Sequence, residues 1–178
     1  MLSPEEMVER VVAGDSSALA RLISLFEQSI SETPSLRAAL HPHLRGAHVV
    51  GFTGTPGCGK STLIARLTTI YRKADRNVGV LAVDPTSPYS GGAVLGDRIR
   101  MNEHATDRNV FIRSLATRGD LGGVPRIVKS AKRAMDVAGL DPILIETAGV
   151  GQTELAVMDA VDTVVAVLVP GGGDAVQM

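Results

Sequence analysis

Residues 48–62 read HVVGFTGTPGCGKST, a β-branched run that breaks into a glycine-rich turn. Within this stretch, residues 54–61 match the G-x-x-x-x-G-K-[ST] pattern of a phosphate-binding loop, or P-loop. Glycines let the backbone turn so that successive N–H groups point at phosphate oxygens, and the helix expected to open at Lys60 adds its positive end. An ordinary glycine-rich turn is the alternative, but the strand-like run before the loop and the helical stretch 61–74 after it favour a P-loop.

Each position of the loop then has a predicted role. Lys60 is expected to reach the β- and γ-phosphates, and the Ser61 hydroxyl is expected to bind Mg²⁺. The sequence therefore predicts a protein that binds a nucleoside triphosphate. The other residues predicted to cradle its phosphates are Gly54, Thr55, Pro56, Gly57, Cys58 and Gly59.

The bulk composition excludes several other classes of protein. The chain has 178 residues, a net charge of −1, 44% hydrophobic residues and only 3% aromatic residues, with a pI near 6.4. No global charge or aromatic platform favours nucleic acid, and no apolar run is long enough to cross a membrane. The N-terminus is acidic and polar, unlike a signal peptide, which predicts a cytoplasmic protein. A single cysteine, Cys58, excludes an internal disulfide and a multi-cysteine zinc site.

Residues 1–46 are predicted to form a small helical region. Ser3 followed by Pro4 and Glu6 is typical of a capped helix start, and Asp15 or Ser16 can cap a second helix. A third helix is expected to start at 33–34 and to end around 41–42. The region either packs as an appendage on the main domain or serves as an arm for a partner.

Residues 47–178 change to alternating strands and helices, which predicts an α/β fold with a mostly parallel sheet and helices on both faces. The strands show little polar alternation, as expected for strands covered on both sides. After the P-loop strand, the predicted strands are 78–83, 110–112, 143–145 and 164–169, and the predicted helices are 95–104, 124–138 and 153–160. The glycine-rich segment 114–123 is predicted to be a loop that senses phosphate, binds a partner or simply moves freely.

Acidic residues are predicted near the carboxyl ends of the strands, where an open α/β sheet binds its ligand. Asp84 follows the second strand and Asp97 opens a helix, so both are candidates for the shell of Mg²⁺. Glu146 ends the strand ILIE and is predicted to bind Mg²⁺ or its water. The Gly149 N–H could then sense the γ-phosphate, and Gln152 could orient the attacking water.

These motifs together resemble the P-loop GTPases associated with methylmalonyl-CoA mutase, the MeaB or ArgK group. The matching segments are GTPGCGKST, AVDPTS, SGGAVLGDRIRM, LGGV and ILIETAGVGQTE, in the family's order over most of residues 48–155. The resemblance implies a homodimeric, cytoplasmic GTPase that uses GTP, GDP and Mg²⁺. It also implies that the protein binds a cobalamin-dependent acyl-CoA mutase, gates its cofactor loading and protects it from inactivation.

The resemblance assigns roles to single residues as well. It implies that Lys60, Ser61 and Thr62 bind phosphates and magnesium, and that Asp84, Asp97 and Glu146 surround the metal. Segments 86–101 and 149–154 would be the two switches. Cys58 replaces a residue that is usually valine in the family, and Arg98 replaces a lysine.

The N-K-x-D motif, which selects guanine in this family, is absent from the 178 residues. We therefore expect a truncated chain that discriminates poorly between GTP and ATP. The leading prediction remains a slow GTPase that a partner accelerates. The alternatives are a P-loop kinase, a nickel metallochaperone GTPase, and a catalytically inactive scaffold; scattered histidines in place of a His-rich stretch speak against nickel delivery.

Overall fold

The computed structural model describes residues 3–28, 33–84, 104, 106–116, 124–147, 155 and 157–169. The chain begins with helices α1 (Pro4–Val12), α2 (Ser16–Gln28) and α3 (Thr33–Leu40), followed by a 3₁₀ turn, His41–His43. The predicted capping box is present, because the Glu6 N–H donates to Ser3 Oγ at 3.1 Å and the Ser3 N–H donates to Glu6 Oε2 at 2.7 Å. Asp15 caps α2, since its Oδ1 accepts from the N–H groups of Ser17 and Ala18.

A parallel sheet of five strands follows, in the order β3-β2-β4-β1-β5. Helix α4 (Lys60–Lys73) follows β1 directly, and helix α5 (Val124–Val137) lies between β3 and β4 in the chain. The predicted α/β fold with a preceding helical region is thus confirmed. The strands are β1 (Val49–Thr53), β2 (Val78–Asp84), β3 (Val110–Ala116), β4 (Ile143–Thr147) and β5 (Thr163–Ala166).

Helices cover both faces of this sheet. On one face, Ile64 of α4 packs with Phe52, Val80 and Leu144 of the strands. On the other face, α5 and the N-terminal helices share one hydrophobic cluster with the strands, so α1, α2 and α3 pack directly on the sheet domain. No helix of the described residues is long and apolar enough to cross a membrane.

Aspartate side chains hold the segment that leads into β1. Asp136, at the end of α5, accepts from the backbone N–H groups of residues 45, 46 and 47 at 2.9, 3.3 and 2.8 Å. Asp141 accepts from the His48 N–H at 3.1 Å, and Asp162 accepts from the Val49 N–H at 2.8 Å. Five consecutive N–H groups therefore end on carboxylates, and the amino end of β1 is fixed. We call Asp136, Asp141 and Asp162 the aspartate clamp.

Three strand predictions need correction. Strand β3 continues to Ala116 although a loop was predicted from residue 114, because it pairs with β2 as far as Asp84↔Ala116. Strand β4 extends to Thr147, which places Glu146 inside the strand. Strand β5 ends at Ala166 rather than 169, because its neighbour β1 turns away into the P-loop after Thr53.

The prediction that every strand is covered on both faces is wrong for β5. Val164 in this strand is 51% exposed and Leu168 just after it is 81% exposed. Strand β5 lies at the edge of the described sheet, where Val165 packs against the cluster that contains Ile64 of α4 while Val164 is left exposed. The predicted helix 95–104 lies outside the described residues except for His104. In the predicted helix 153–160, Leu155, Val157 and Met158 are helical.

Candidate functional site

The P-loop occupies the turn between β1 and α4. Its glycines have positive φ angles, +139° at Gly54, +80° at Gly57 and +97° at Gly59, which L side chains rarely adopt. Gly59 is the N-cap residue of α4, so the positive end of that helix opens into the loop. The local sequence therefore folds as the motif predicted.

The loop leaves room and donors for an anion. A Cβ atom added at Gly57 or Gly59 would meet no heavy atom within 4 Å. Among the hydrogen bonds found in the described residues, none is donated by the backbone N–H groups of Gly57, Gly59 or Lys60. Free N–H groups at a helix N-terminus are the usual partners of phosphate oxygens, so the loop fits a phosphate chain.

Gly54 differs from the other two glycines because it touches the neighbouring strand. A Cβ atom at Gly54 would lie 2.3 Å from the carbonyl oxygen of Val167 and 2.9 Å from Cys58 Sγ. The Val167 N–H also donates to the Thr53 carbonyl at 2.8 Å. The base of the P-loop is thus packed against the chain that leaves β5, and only glycine fits there.

Lys60 is buried within the loop, with 6% of its surface exposed. Its Nζ donates to the carbonyl oxygens of Gly54 and Thr55 at 2.7 and 3.2 Å and lies 3.9 Å from Cys58 Sγ. The ammonium group is therefore held over the loop by backbone oxygens, where a phosphate would compete for it.

Ser61 and Glu146 meet at the foot of the loop. The Ser61 hydroxyl donates to Glu146 Oε1 at 2.6 Å, and the two residues are each 5% exposed. Sheet register explains the meeting, because Glu146 of β4 pairs with Phe52 of β1, two residues before the P-loop. A hydroxyl and a carboxylate oxygen in contact are the hard oxygen donors that Mg²⁺ prefers, so this pair fits that ion.

The remaining predicted residues divide into two groups. Thr55, Pro56, Cys58 and Thr62 lie in the loop or in the first turn of α4 as expected. The backbone of Asp84 ends β2, one strand away from Glu146, but its side chain lies outside the described part of the chain. Asp97, Gly149 and Gln152 also lie outside the described residues, so their roles stay predictions.

Sequence reasoning missed the polar contacts that brace this site. His104, 8% exposed, places Nε2 3.1 Å from both the Ala65 carbonyl and Thr69 Oγ1 on α4. Asp107 binds Arg72 of α4 at 2.9 Å. The Asn109 N–H and then the Arg72 guanidinium hold the pKa of Asp107 below its usual range. The contacts of His104 and Asp107 with α4 join residues 35 to 39 apart in sequence, and no local motif predicts them.

A family comparison decides the class of protein. Residues 19–178 match the family model described as Methylmalonyl Co-A mutase-associated GTPase MeaB. The chain belongs to the MeaB family. The predicted family is therefore confirmed, and the P-loop site described above is the site of a MeaB-family chain.

Curated relatives agree with this assignment. A protein of Pyrococcus horikoshii, provisionally named as a GTPase, is 50% identical over 97% of this chain and 55% of its own length. GTPase ArgK of Escherichia coli is 35% identical over 97% of this chain and 53% of its own length. The mouse protein named Methylmalonic aciduria type A homolog, mitochondrial, is 48% identical over 72% of this chain and 31% of its own length. The MeaB-family chain thus spans about half the length of the first two relatives.

A solved structure supports the fold. The crystal structure of a LAO/AO transport system kinase superposes with a TM-score of 0.78 and 26% identity, over 98% of this chain and 54% of that one. Together with the five-stranded parallel sheet, this similarity confirms a P-loop NTPase fold for the MeaB-family chain.

Proposed function

We propose that this chain binds GTP and GDP with Mg²⁺ and hydrolyses GTP slowly, as the nucleotide-binding part of a chaperone for a cobalamin-dependent acyl-CoA mutase. The observation that carries the proposal is the buried Ser61–Glu146 pair beneath an open, glycine-lined P-loop. Membership of the MeaB family and the GTPase names of the relatives support guanine as the base.

The chain's own groups would act on the phosphates in three ways. The backbone N–H groups of Gly57, Gly59 and Lys60 would donate hydrogen bonds to the phosphate oxygens. Lys60 would exchange its contacts with the Gly54 and Thr55 carbonyls for a phosphate oxygen, and little movement is needed because it already lies over the loop. These contacts would hold the phosphate chain in one orientation, which is a large part of phosphoryl-transfer catalysis.

Ser61 and Glu146 would hold the magnesium ion, with Asp84 and Asp97 proposed to complete its acidic surroundings. Bound Mg²⁺ would neutralise charge that develops on the β- and γ-phosphates. Glu146 is engaged by the Ser61 hydroxyl, which leaves it poorly placed as a general base. Gln152 is proposed to orient the attacking water and Gly149 to sense the γ-phosphate. Because the sequence shows no obvious strong general base, we expect slow hydrolysis that a partner accelerates.

The partner proposal rests on names. The family description contains a methylmalonyl-CoA mutase association, and the mouse relative is named after methylmalonic aciduria. From these names and the resemblance, we propose that the chain gates cofactor loading of the mutase and protects it. A homodimer and a cytoplasmic location remain part of this proposal.

The test is phosphate release with GTP and with ATP, each with and without purified methylmalonyl-CoA mutase. We expect slow release with GTP, stimulation by the mutase with GTP alone, and loss of release in Lys60→Ala, which removes the ammonium from the loop. Lys73→Ala, at the exposed end of the same helix, is the matched control and should behave like the wild type. Equal release from both nucleotides without any effect of the mutase would contradict the proposal.

One observation favours a second candidate. The protein in the superposed crystal structure is named a kinase, so phosphoryl transfer to an acceptor is the competing reaction. If radiolabel from the γ-phosphate of GTP or ATP appeared on a protein or small-molecule acceptor, with no free phosphate, the kinase function would replace the proposed GTPase.

A further inference from the structure

Helix α5 carries a basic outer surface. Arg126, Lys129 and Arg133 are exposed, and their spacing of three and four residues places them on one side of the helix. The opposite side is apolar and buried in the sheet cluster, through residues such as Val128, Ala131 and Met135. Because the apolar side of α5 is buried, the helix holds these three cations at the protein surface.

Helix α3 adds a fourth cation beside them. Arg37 donates from Nε to Ser130 Oγ at 2.8 Å and from Nη2 to the Arg126 carbonyl at 3.4 Å. Because Ser130 is 1% exposed, this contact fixes the arginine against the α5 backbone. We call Arg37, Arg126, Lys129 and Arg133 the α5 basic face.

No carboxylate of the described residues pairs with this face. The ion pairs within the described residues involve other arginines, namely Arg10, Arg72, Arg76 and Arg113. Asp136, the acid of α5, directs its carboxylate to the backbone of residues 45–47. Lys132 turns away as well, because its Nζ donates to the Ala160 carbonyl, and burial lowers its pKa.

The face runs along α5 from the carboxyl edge of the sheet towards its amino edge. Helix α5 leads from β3 to β4, which both run parallel to β2, so α5 runs antiparallel to them. Its first turn, which carries Arg126, therefore lies towards the carboxyl ends of the strands, where Ser61 and Glu146 meet. Arg133 lies one turn before Asp136, which binds the backbone of residues 45–47, so the far end of the face lies towards the amino edge.

We propose that the α5 basic face docks an acidic surface of a protein partner, and the identity of that partner as the mutase rests on the proposed function. The net charge of −1 and the pI near 6.4 give the chain no general attraction for polyanions. A local positive face on a chain of this charge selects a matching acidic face and speeds the encounter with it.

The test compares two variants with the same change in net charge. One is Arg126→Gln/Lys129→Gln/Arg133→Gln on the basic face. The control is Arg21→Gln/Lys73→Gln/Arg108→Gln, which neutralises exposed cations on three separate elements. Association with purified methylmalonyl-CoA mutase is followed by stopped flow at about 50 mM and about 300 mM salt, and thermal melts verify folding.

We expect the basic-face variant to associate about tenfold more slowly at low salt, with the difference shrinking at high salt and the dissociation rate changing little. The control should stay within about twofold of the wild type. Equal slowing of both variants, or of neither, would overturn the inference while leaving the proposed function intact. Failure of the wild type to bind the mutase at all, with nucleotide binding preserved, would overturn both.

A further experiment tests whether the α5 basic face binds polyanions instead of an acidic protein. Fluorescent duplex DNA and phosphatidylserine vesicles are titrated into the wild type and the basic-face variant at about 150 mM salt. The proposal predicts no binding of either probe. Binding that only the basic-face variant loses would assign the face to a polyanion and overturn the acidic-protein partner.

Discussion

At the two edges of the sheet, consecutive backbone N–H groups point at different partners. At the amino edge, the N–H groups of residues 45–49 end on the aspartate clamp, at 2.8 to 3.3 Å. At the carboxyl edge, the N–H groups of Gly57, Gly59 and Lys60 donate none of the hydrogen bonds found among the described residues. At both edges the backbone N–H groups are placed to bind oxyanions. Only at the amino edge are these oxyanions carboxylates of the same chain.

This difference separates stability from function. A carboxylate that belongs to the chain needs no ligand to be present, so the clamp contributes to folding with or without nucleotide. N–H groups that have no acceptor among the described residues contribute only when a ligand binds, and satisfying them adds to the affinity for phosphate. The helix dipole and the buried ammonium of Lys60 add to the second edge alone.

Gly54→Ala should have the largest effect, because it disrupts the base of the P-loop at the carboxyl edge. The new Cβ would lie 2.3 Å from the Val167 carbonyl oxygen at a φ of +139°, so the loop must shift. We expect the free energy of unfolding to fall by about 3 kcal/mol and nucleotide affinity to fall by about 100-fold or more. Chemical denaturation and calorimetry measure the two effects.

Gly14→Ala is the matched control for this substitution. Gly14, between α1 and α2, also has a positive φ, +83°, but a Cβ there would meet nothing within 4 Å. This substitution should lower the free energy of unfolding by about 1 kcal/mol, because alanine disfavours the left-handed backbone, and it should leave nucleotide affinity unchanged. Similar losses of affinity in both variants would contradict the role given to the packed base of the loop.

Asp136→Ala should affect stability without affecting binding. The buried carboxylate accepts three N–H bonds, so its loss should lower the free energy of unfolding by about 3 kcal/mol and the melting temperature by about 9 °C. Asp159→Ala, at an exposed position, should stay within about 0.5 kcal/mol of the wild type. A loss of nucleotide affinity as large as that of Gly54→Ala would refute the separation of the two edges.

Asp107→Asn should have the smallest effect. Asp107 is a surface carboxylate that also accepts from a backbone N–H, that of Asn109, and it pairs with Arg72. The pKa of Asp107 is lower in the folded state than its ordinary value of 3.8, so the ionised form stabilises the fold. That contribution is present above 3.8 and disappears as the pH falls through the lower folded-state pKa.

The difference between the wild type and Asp107→Asn should be about 0.5 kcal/mol at neutral pH. It should vanish in acid, and urea titrations across the pH range measure it. A difference that grows as the pH falls would show that the sign is wrong.

Local sequence was sufficient for the carboxyl edge and for the helix caps. The P-loop glycines, Lys60 and Ser61 form one continuous motif, and Ser3 with Glu6 forms another, so neighbours in sequence decide their geometry. Glu146 was predicted from the end of a buried strand, and sheet register then brought it to Ser61.

Long-range contacts explain what the sequence could not show. Asp136 is a single acid in an amphipathic helix, and its partners lie about ninety residues earlier in the chain. A loop was predicted from residue 114, yet β3 continues to Ala116. Arg113 is paired there with Glu27 of α2, 86 residues away, and β2 supplies the backbone partners. Such pairs depend on tertiary packing, which no local pattern encodes.

Amide hydrogen exchange at single-residue resolution, with and without saturating GDP and Mg²⁺, distinguishes N–H groups that are bound within the chain from those that bind a ligand. We predict slow exchange at residues 45–49 in both states, because the aspartate clamp is part of the chain. The amides of Gly57, Gly59 and Lys60 should exchange rapidly in the free protein and become protected on binding. If these P-loop amides exchanged at the same rate in both states while calorimetry showed the nucleotide bound, phosphate would not be held by this loop and the carboxyl edge would not be the ligand edge.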